Sequence, residues 1–255
     1  HIFSSSVDVL GWVWKRGGFL SPSPHRQCAL INVKQEDIKV VGDMRSWLGL
    51  YKTLYMATPN ITAILNPFEA ATAGKDTKDK FEWTHELTQN FREAKNQVNN
   101  MQTLYLPSPE DQLMMVPDGS KMTPGIGHIL FAIKDGKRLP VRFHSTKLKD
   151  SCRKWSPCEI EAMAFAAGIE KEYDLLRESK LPLIICPDSK PVHDAVSLIT
   201  KGNFSTSSRM TSFLSNVNRI PIISKHISGK AKLNPTADLQ SRHPPTCDSG
   251  VCSIE

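Results

Sequence analysis

The chain has 255 residues, enough for one large domain or two smaller ones that fold without disulfides or structural metals. Its 40% hydrophobic and 23% charged content excludes global disorder and fibrous repeats, and a formal charge of +6 makes polyanions such as nucleic acid natural partners. Six cysteines without a repeated CxxC spacing argue for reduced thiols in an intracellular protein, and no stretch approaches the roughly 20 apolar residues of a membrane span.

The chain opens at His1 inside strand-like sequence, with no methionine and no basic-then-apolar leader, so it reads as an excerpt of a longer polypeptide. Residues 7–20 place two apolar runs around Lys15-Arg16-Gly17-Gly18, which predicts a hairpin. From about Gln35 to Met56 the positions Ile38, Val41, Met44, Trp47, Leu48 and Leu50 recur mostly at helical spacing, as do Phe81, Leu87, Phe91, Ala94 and Val98. Two helices are expected there, joined by a loop around Pro59 to Pro67. Polar residues 99–102 and the prolines Pro107 and Pro109 then mark a boundary, with a second unit starting near Leu104.

In the second unit the apolar runs 112–118, 126–134 and 138–145 are separated by turn sequences and read as a three-stranded meander. Ser156-Pro157 supplies a cap and a first-turn proline for a helix running to about Ser179. A strand over 181–187, helices near 191–200 and 209–217, a fifth strand over 221–227 and a short helix over 235–241 complete the pattern. Strands and helices in this order predict an α/β fold with a mixed sheet.

Four acidic residues fall at telling places. Asp118 ends the first strand of this unit, Glu161 sits early in its first helix, Asp188 ends the fourth strand, and Asp238 lies in the last short helix. Carboxylates at strand ends converge readily, because ligand crevices in such sheets lie outside the carboxyl ends of the strands. Four hard oxygen donors favour Mg²⁺ or Mn²⁺ over zinc, and two such ions about 3.5–4 Å apart would serve hydrolysis of a phosphodiester. Position alone is weak support, since the chain has 26 acidic residues and an aspartate at a strand end is most often turn chemistry. His243, Cys247 and Cys252 offer only three ligands in a Pro-rich tail and are not read as a zinc site.

The wording around the carboxylates adds what position lacks. Pro117-Asp118-Gly119-Ser120 with Gly125-Ile126-Gly127-His128-Ile129-Leu130 resembles the opening of the ribonuclease H domain of long-terminal-repeat retrotransposons. Phe143-His144-Ser145-Thr146-Lys147-Leu148 is similar to that family's third strand, the segment from Trp155 to Ala164 to its first helix, and Asp188-Ser189-Lys190 to its fourth-strand motif. Ser208-Arg209 resembles its Ser-x-Arg helix start. The terminal His226-Ile227-Ser228-Gly229 and Asn234-Pro235-Thr236-Ala237-Asp238 through Ser241-Arg242 resemble its closing signature, the most specific of these motifs. Upstream, Val9-Leu10-Gly11 with Gly17-Gly18 resembles the primer-grip hairpin of reverse transcriptases. Residues 44–50 and 81–95 resemble the thumb and connection that follow it.

The resemblance implies a ribonuclease H-like mixed five-stranded sheet with flanking helices, preceded by a smaller, mostly helical thumb and connection segment. It divides the chain into residues 1–105, 106–245 and a flexible tail, 246–255. It implies a pol polyprotein fragment of a retroelement, working in the cytoplasm or a virus-like particle, that hydrolyses the RNA strand of RNA–DNA hybrids with Mg²⁺ or Mn²⁺ held by Asp118, Glu161, Asp188 and Asp238. Glu159 competes for the second position, but a two-residue step turns a helical side chain by about 200°, and the family pattern fits Glu161 better. Asn234 is expected to cap the last helix, and His226 to pack or hydrogen-bond near the site. No Tyr-x-Asp-Asp polymerase motif occurs in this chain. Pro117 and Pro187 depart from expectation, since each removes a backbone donor beside an aspartate in what should be a central strand. Two rivals follow: an inactive or domesticated nucleic-acid-binding domain, and a metal-dependent nuclease with another substrate.

Overall fold

Both glycines of Arg16-Gly17-Gly18 take positive φ, 91° and 83°, and so turn the chain tightly between two strands. The computed structural model describes residues 5–59, 61–121, 125–203, 207–227 and 252–253. Where the sequence predicts one hairpin, the structure has an antiparallel meander of β1 (Ser6–Val9), β2 (Trp12–Lys15) and β3 (Phe19–Pro22). Leu10 and Gly11, with φ of 54° and 79°, make the additional turn.

Contacts divide the chain into two units, His1–Leu104 and Tyr105–Glu255. In the first, helix α1 (Pro24–Asn32) follows β3; the sequence reading passed over it, although Ser23 caps it and Pro24 opens it. The helix expected over 35–56 is α2 (Val41–Lys52), preceded by a separate single 3₁₀ turn at Gln35–Asp37. The loop expected around Pro59 to Pro67 is instead largely helix α3 (Ile61–Thr72), with Pro67 inside it. Proline in a helix interior costs about 3 kcal/mol. Burial of Ile61, Leu65 and Phe68 on one face, at roughly 1.5–3 kcal/mol each, outweighs it. Helix α4 (His85–Asn99) completes a core in which the Trp47 ring lies 5.4 Å from Tyr51, 5.6 Å from Phe68 and 4.8 Å from Phe91.

A two-residue strand, β4 (Leu104–Tyr105), falls at the division. The second unit is built on β5 (Gln112–Ser120), β6 (Gly125–Lys134) and β7 (Lys137–Lys147), a continuous antiparallel meander. Asp135 and Gly136, both with positive φ, close the two-residue turn between β6 and β7. Helix α5 (Pro157–Glu178) packs on β5 and β6. It is followed by β8 (Leu183–Ile185), α6 (Lys190–Ile199), α7 (Ser208–Leu214) and β9 (Ile222–Ser224). β8 pairs parallel with both β5 and β9, so β7-β6-β5-β8-β9 is a mixed five-stranded sheet with helices against it. A short β10 (Cys252–Ser253) adds antiparallel to the free edge of β7. The expected helix over 235–241, with Asn234 and Asp238, lies outside the described residues.

Candidate active site

Three of the four predicted carboxylates meet. Asp118, Glu161 and Asp188 each offer an oxygen, and the three lie within 4.8 Å of one another. Asp118 comes from β5 near its carboxyl end, Glu161 from the second turn of α5, and Asp188 from the segment that leaves β8. Asp118 is 2% exposed and the other two are half-buried; Asp118 Oδ2 and Glu161 Oε2 are shut off from solvent.

Local sequence explains each placement. Ser156 opens α5 through a reciprocal cap: Glu159 N donates to Ser156 Oγ at 3.3 Å, and Ser156 N donates to Glu159 Oε2 at 2.8 Å. Glu159 also pairs with Arg209 at 2.8 Å, so this rival carboxylate is committed to the cap while Glu161 joins the cluster. Gly119 lets α5 come close. A Cβ there would sit 2.8 Å from Ile160 Cγ2 and 3.1 Å from the Ile160 backbone, next to Glu161 in the chain.

The two prolines fit the strands they interrupt. Alternate β5 residues turn their backbone groups to alternate neighbours, and Met115 O accepts from Cys186 N at 2.8 Å, so the Pro117 nitrogen faces β8. The paired positions of β5 and β8 end at Met115 and Ile185, whereas the β5–β6 ladder runs on through Pro117 and Asp118. Beyond β8, Pro187 keeps its acceptor role and takes a bond from Ile227 N at 3.1 Å. His226 lies beside the cluster, as read from the sequence, and its Nε2 donates to the Asp188 main-chain oxygen at 3.0 Å.

One buried group escaped the sequence reading. Glu172, 1% exposed, lies between His128 Nε2 and Arg142 Nη1, each at 2.9 Å. Burial alone would raise its carboxyl; the hydrogen bond and charge of His128, with the Arg142 guanidinium, bring it below its ordinary value. Burial, reinforced by the charges of His128 and Lys171, pushes the neighbouring His144 down to about 4. The available signal was an acidic residue in the apolar stripe Phe165, Ile169 and Leu176 of α5. Cys186 is no nucleophile candidate, since burial pushes its thiol up to about 11.

The donors of the cluster are all carboxylate oxygens, crowded and partly buried. Three like charges so placed repel, and a small hard cation relieves them, so the residues fit Mg²⁺ or Mn²⁺ better than zinc.

A mixed sheet flanked by helices, with this meander and these crossovers, is a ribonuclease H-like fold. Residues 83–183 match the family model described as the RNase H-like domain found in reverse transcriptase, a span that takes in Asp118 and Glu161 and stops short of Asp188. No curated protein matches. Among solved structures, the chain resembles a foamy viral protease-reverse transcriptase in complex with RNA/DNA hybrid: TM-score 0.72, 17% identity, covering 96% of this chain and 31% of that one. Structures in complex with double-stranded DNA give TM-scores of 0.71 and 0.72 at 17% and 16% identity, covering 87% and 90% of this chain and 38% and 46% of theirs. The chain thus spans less than half the length of each of these proteins. The resemblance to a pol fragment carrying a ribonuclease H-like domain is borne out. No described helix is long and apolar enough to cross a membrane.

Proposed function

We propose that the second unit is a ribonuclease H that hydrolyses the RNA strand of RNA–DNA hybrids, as part of the reverse transcriptase polyprotein of a retroelement. The carrying observation is the convergence of Asp118, Glu161 and Asp188 within 4.8 Å, from the end of β5, the start of α5 and the segment after β8 of a ribonuclease H-like sheet. In this reading the three carboxylates hold divalent cations, with Asp238 as a fourth ligand. Such ions, when bound, supply Lewis-acid stabilisation of the phosphodiester and a more acidic water. Asp118, buried at the back, fixes the depth of the site; Glu161 is aimed by the capped first turn of α5; His226 holds the main chain of Asp188 in place. Recognition runs through phosphates and ribose 2′-hydroxyls, with little base reading. Similarity to a reverse transcriptase solved with RNA/DNA hybrid supports that substrate.

Residues 1–105 are, on the same reading, the primer-grip, thumb and connection end of a reverse transcriptase that supports the duplex, joined to the rest of the pol polyprotein and working in the cytoplasm or a virus-like particle. The test incubates the full chain with labelled hybrid, duplex DNA or duplex RNA, each with Mg²⁺ or chelator. Expected is Mg²⁺-dependent cleavage of the RNA strand of the hybrid, lost in Asp188→Asn. Absence of that cleavage, or its survival in Asp188→Asn, overturns the proposal; hybrid binding without cleavage points to a nucleic-acid-binding domain.

A further inference from the structure

The stretch formed by the end of β7 and the segment that follows it carries four cations in eight residues, Lys147, Lys149, Arg153 and Lys154, all exposed, against one acidic residue, Asp150. Its sequence is Lys-Leu-Lys-Asp-Ser-Cys-Arg-Lys, and its two apolar members turn inward. Leu148 and Cys152 are buried in a cluster with Ile126, Ile160 and Ala164. Backbone bonds from Cys152 N to Lys149 O at 2.9 Å and from Trp155 N to Cys152 O at 3.0 Å wind the segment into a 3₁₀ turn. The cations therefore stand on a fixed support, and that support includes Ile160, the residue before Glu161.

Register relates the segment to the carboxylates. Asp118 lies opposite Gly127, and Gly127 opposite Ser145, so these three share a row and a face of the sheet. Lys147, two residues beyond Ser145, projects from that same face. The Ile126 side packs on the body of α5, so Asp118 and Lys147 take the alternate face, with Asp118 near the strand end, where Glu161 at the start of α5 reaches it. Two strand spacings of about 4.8 Å and two residue steps of about 3.3 Å place the Lys147 Cα about 12 Å from that of Asp118. A duplex presents one phosphate per strand for about every 3.4 Å of its axis, so this separation spans about three to four phosphates.

We infer that Lys147, Lys149, Arg153 and Lys154 form a phosphate-binding track that grips the backbone of a nucleic-acid duplex a few nucleotides from the bond at the carboxylates. This rests on the nuclease reading for its purpose, but its test does not need cleavage. Fluorescence anisotropy in chelator reads binding of a labelled RNA–DNA hybrid by the full chain across a salt series. The variants are the fourfold substitution Lys147→Ala, Lys149→Ala, Arg153→Ala and Lys154→Ala, and a control, Lys137→Ala, at the opposite end of β7.

Each lost phosphate contact lowers the slope of log affinity against log salt by about 0.9. The fourfold variant is expected to lose about 2–4 from that slope and to bind at least about tenfold more weakly near 0.1 M salt, with an unchanged melting temperature and an unaffected control. If the wild type cleaves, the variant should raise KM and leave kcat within about twofold. A slope unchanged in the fourfold variant, or an equal fall in the Lys137→Ala control, overturns the track. A slope that falls in a chain that never cleaves leaves the track standing and removes the nuclease reading alone.

Discussion

Gly119 is where the fold and the proposed chemistry meet most tightly. A Cβ at this position would lie 2.8 Å from Ile160 Cγ2 and 3.1 Å from the Ile160 carbonyl carbon and oxygen, against an ordinary contact of about 3.5–4 Å. Alanine therefore asks α5 to retreat by about 0.5 Å, and valine, with two further methyls against backbone that cannot rotate away, by about 1 Å. Overpacking of this kind costs about 1–3 kcal/mol, or about 5 °C in melting temperature for a unit of this size. The proposed catalytic effect is larger than the effect on stability. Glu161 rides on the displaced turn, and a misplacement of about 1 Å costs on the order of 100-fold in rate. Single-turnover cleavage of a labelled hybrid, with enzyme in excess and a thermal melt alongside, should show Gly119→Val folded and about 100-fold slower, with Gly119→Ala between it and the wild type. A Gly119→Val protein that cleaves within about twofold of wild type would refute the claim that this close approach sets the carboxylate geometry.

Glu161→Gln should reduce Mg²⁺-dependent cleavage by at least about 100-fold, whereas Glu159→Gln should retain cleavage and lose only about 1 kcal/mol of stability with its cap; parallel rate and melting measurements separate them. His128→Leu leaves Glu172 buried beside Arg142 alone and should cost about 3–5 kcal/mol in urea unfolding, much of it recovered in the His128→Leu/Glu172→Leu double variant. Stability should also fall on acidification. His144 stays neutral in the folded chain down to about 4, while the unfolded chain takes up a proton near 6.5. Stability from this residue is therefore lost progressively between those values, and the depressed Glu172 carboxyl adds a further loss below the unfolded value of about 4.3. Melting temperatures from pH 7 to pH 4 should drop less steeply in His144→Asn; an equal slope would exclude His144 as the source.

Much of the second unit was legible because its signals are local and agree with one another. Asp135-Gly136 between apolar runs announces a tight turn, and Ser156-Pro157 with Glu159 announces a helix start, so β6, β7 and α5 follow from short stretches of sequence. The first unit was harder to read. Pro67 and the polar Asn66 mark a loop by composition, and only the partners that bury Leu65 and Phe68 make the segment a helix. Helix α1 has the cap and proline of a helix start but just one buried residue, Leu30, so no periodic stripe advertises it. The site itself divides in the same way. Motifs around Asp118, Glu161 and Asp188 named the residues, but the contact of Gly119 with Ile160 and the burial of Glu172 depend on which helix meets which strand. That information is spread over pairings far apart in the chain.

Pro117 has a consequence that its reputation as a strand breaker hides. Adjacent parallel strands extend their pairing as far as donors and acceptors last, and one more bond would draw β8 alongside the Asp118 carboxylate. At position 117 the process stops for want of one hydrogen, since the ring nitrogen has nothing to offer the Cys186 carbonyl. On the β6 side, where a donor at 117 is not needed, the sheet keeps its full strength. The residue thus acts as a one-sided zipper stop. Restoring an N–H there would gain the sheet a hydrogen bond and narrow the approach to the carboxylates.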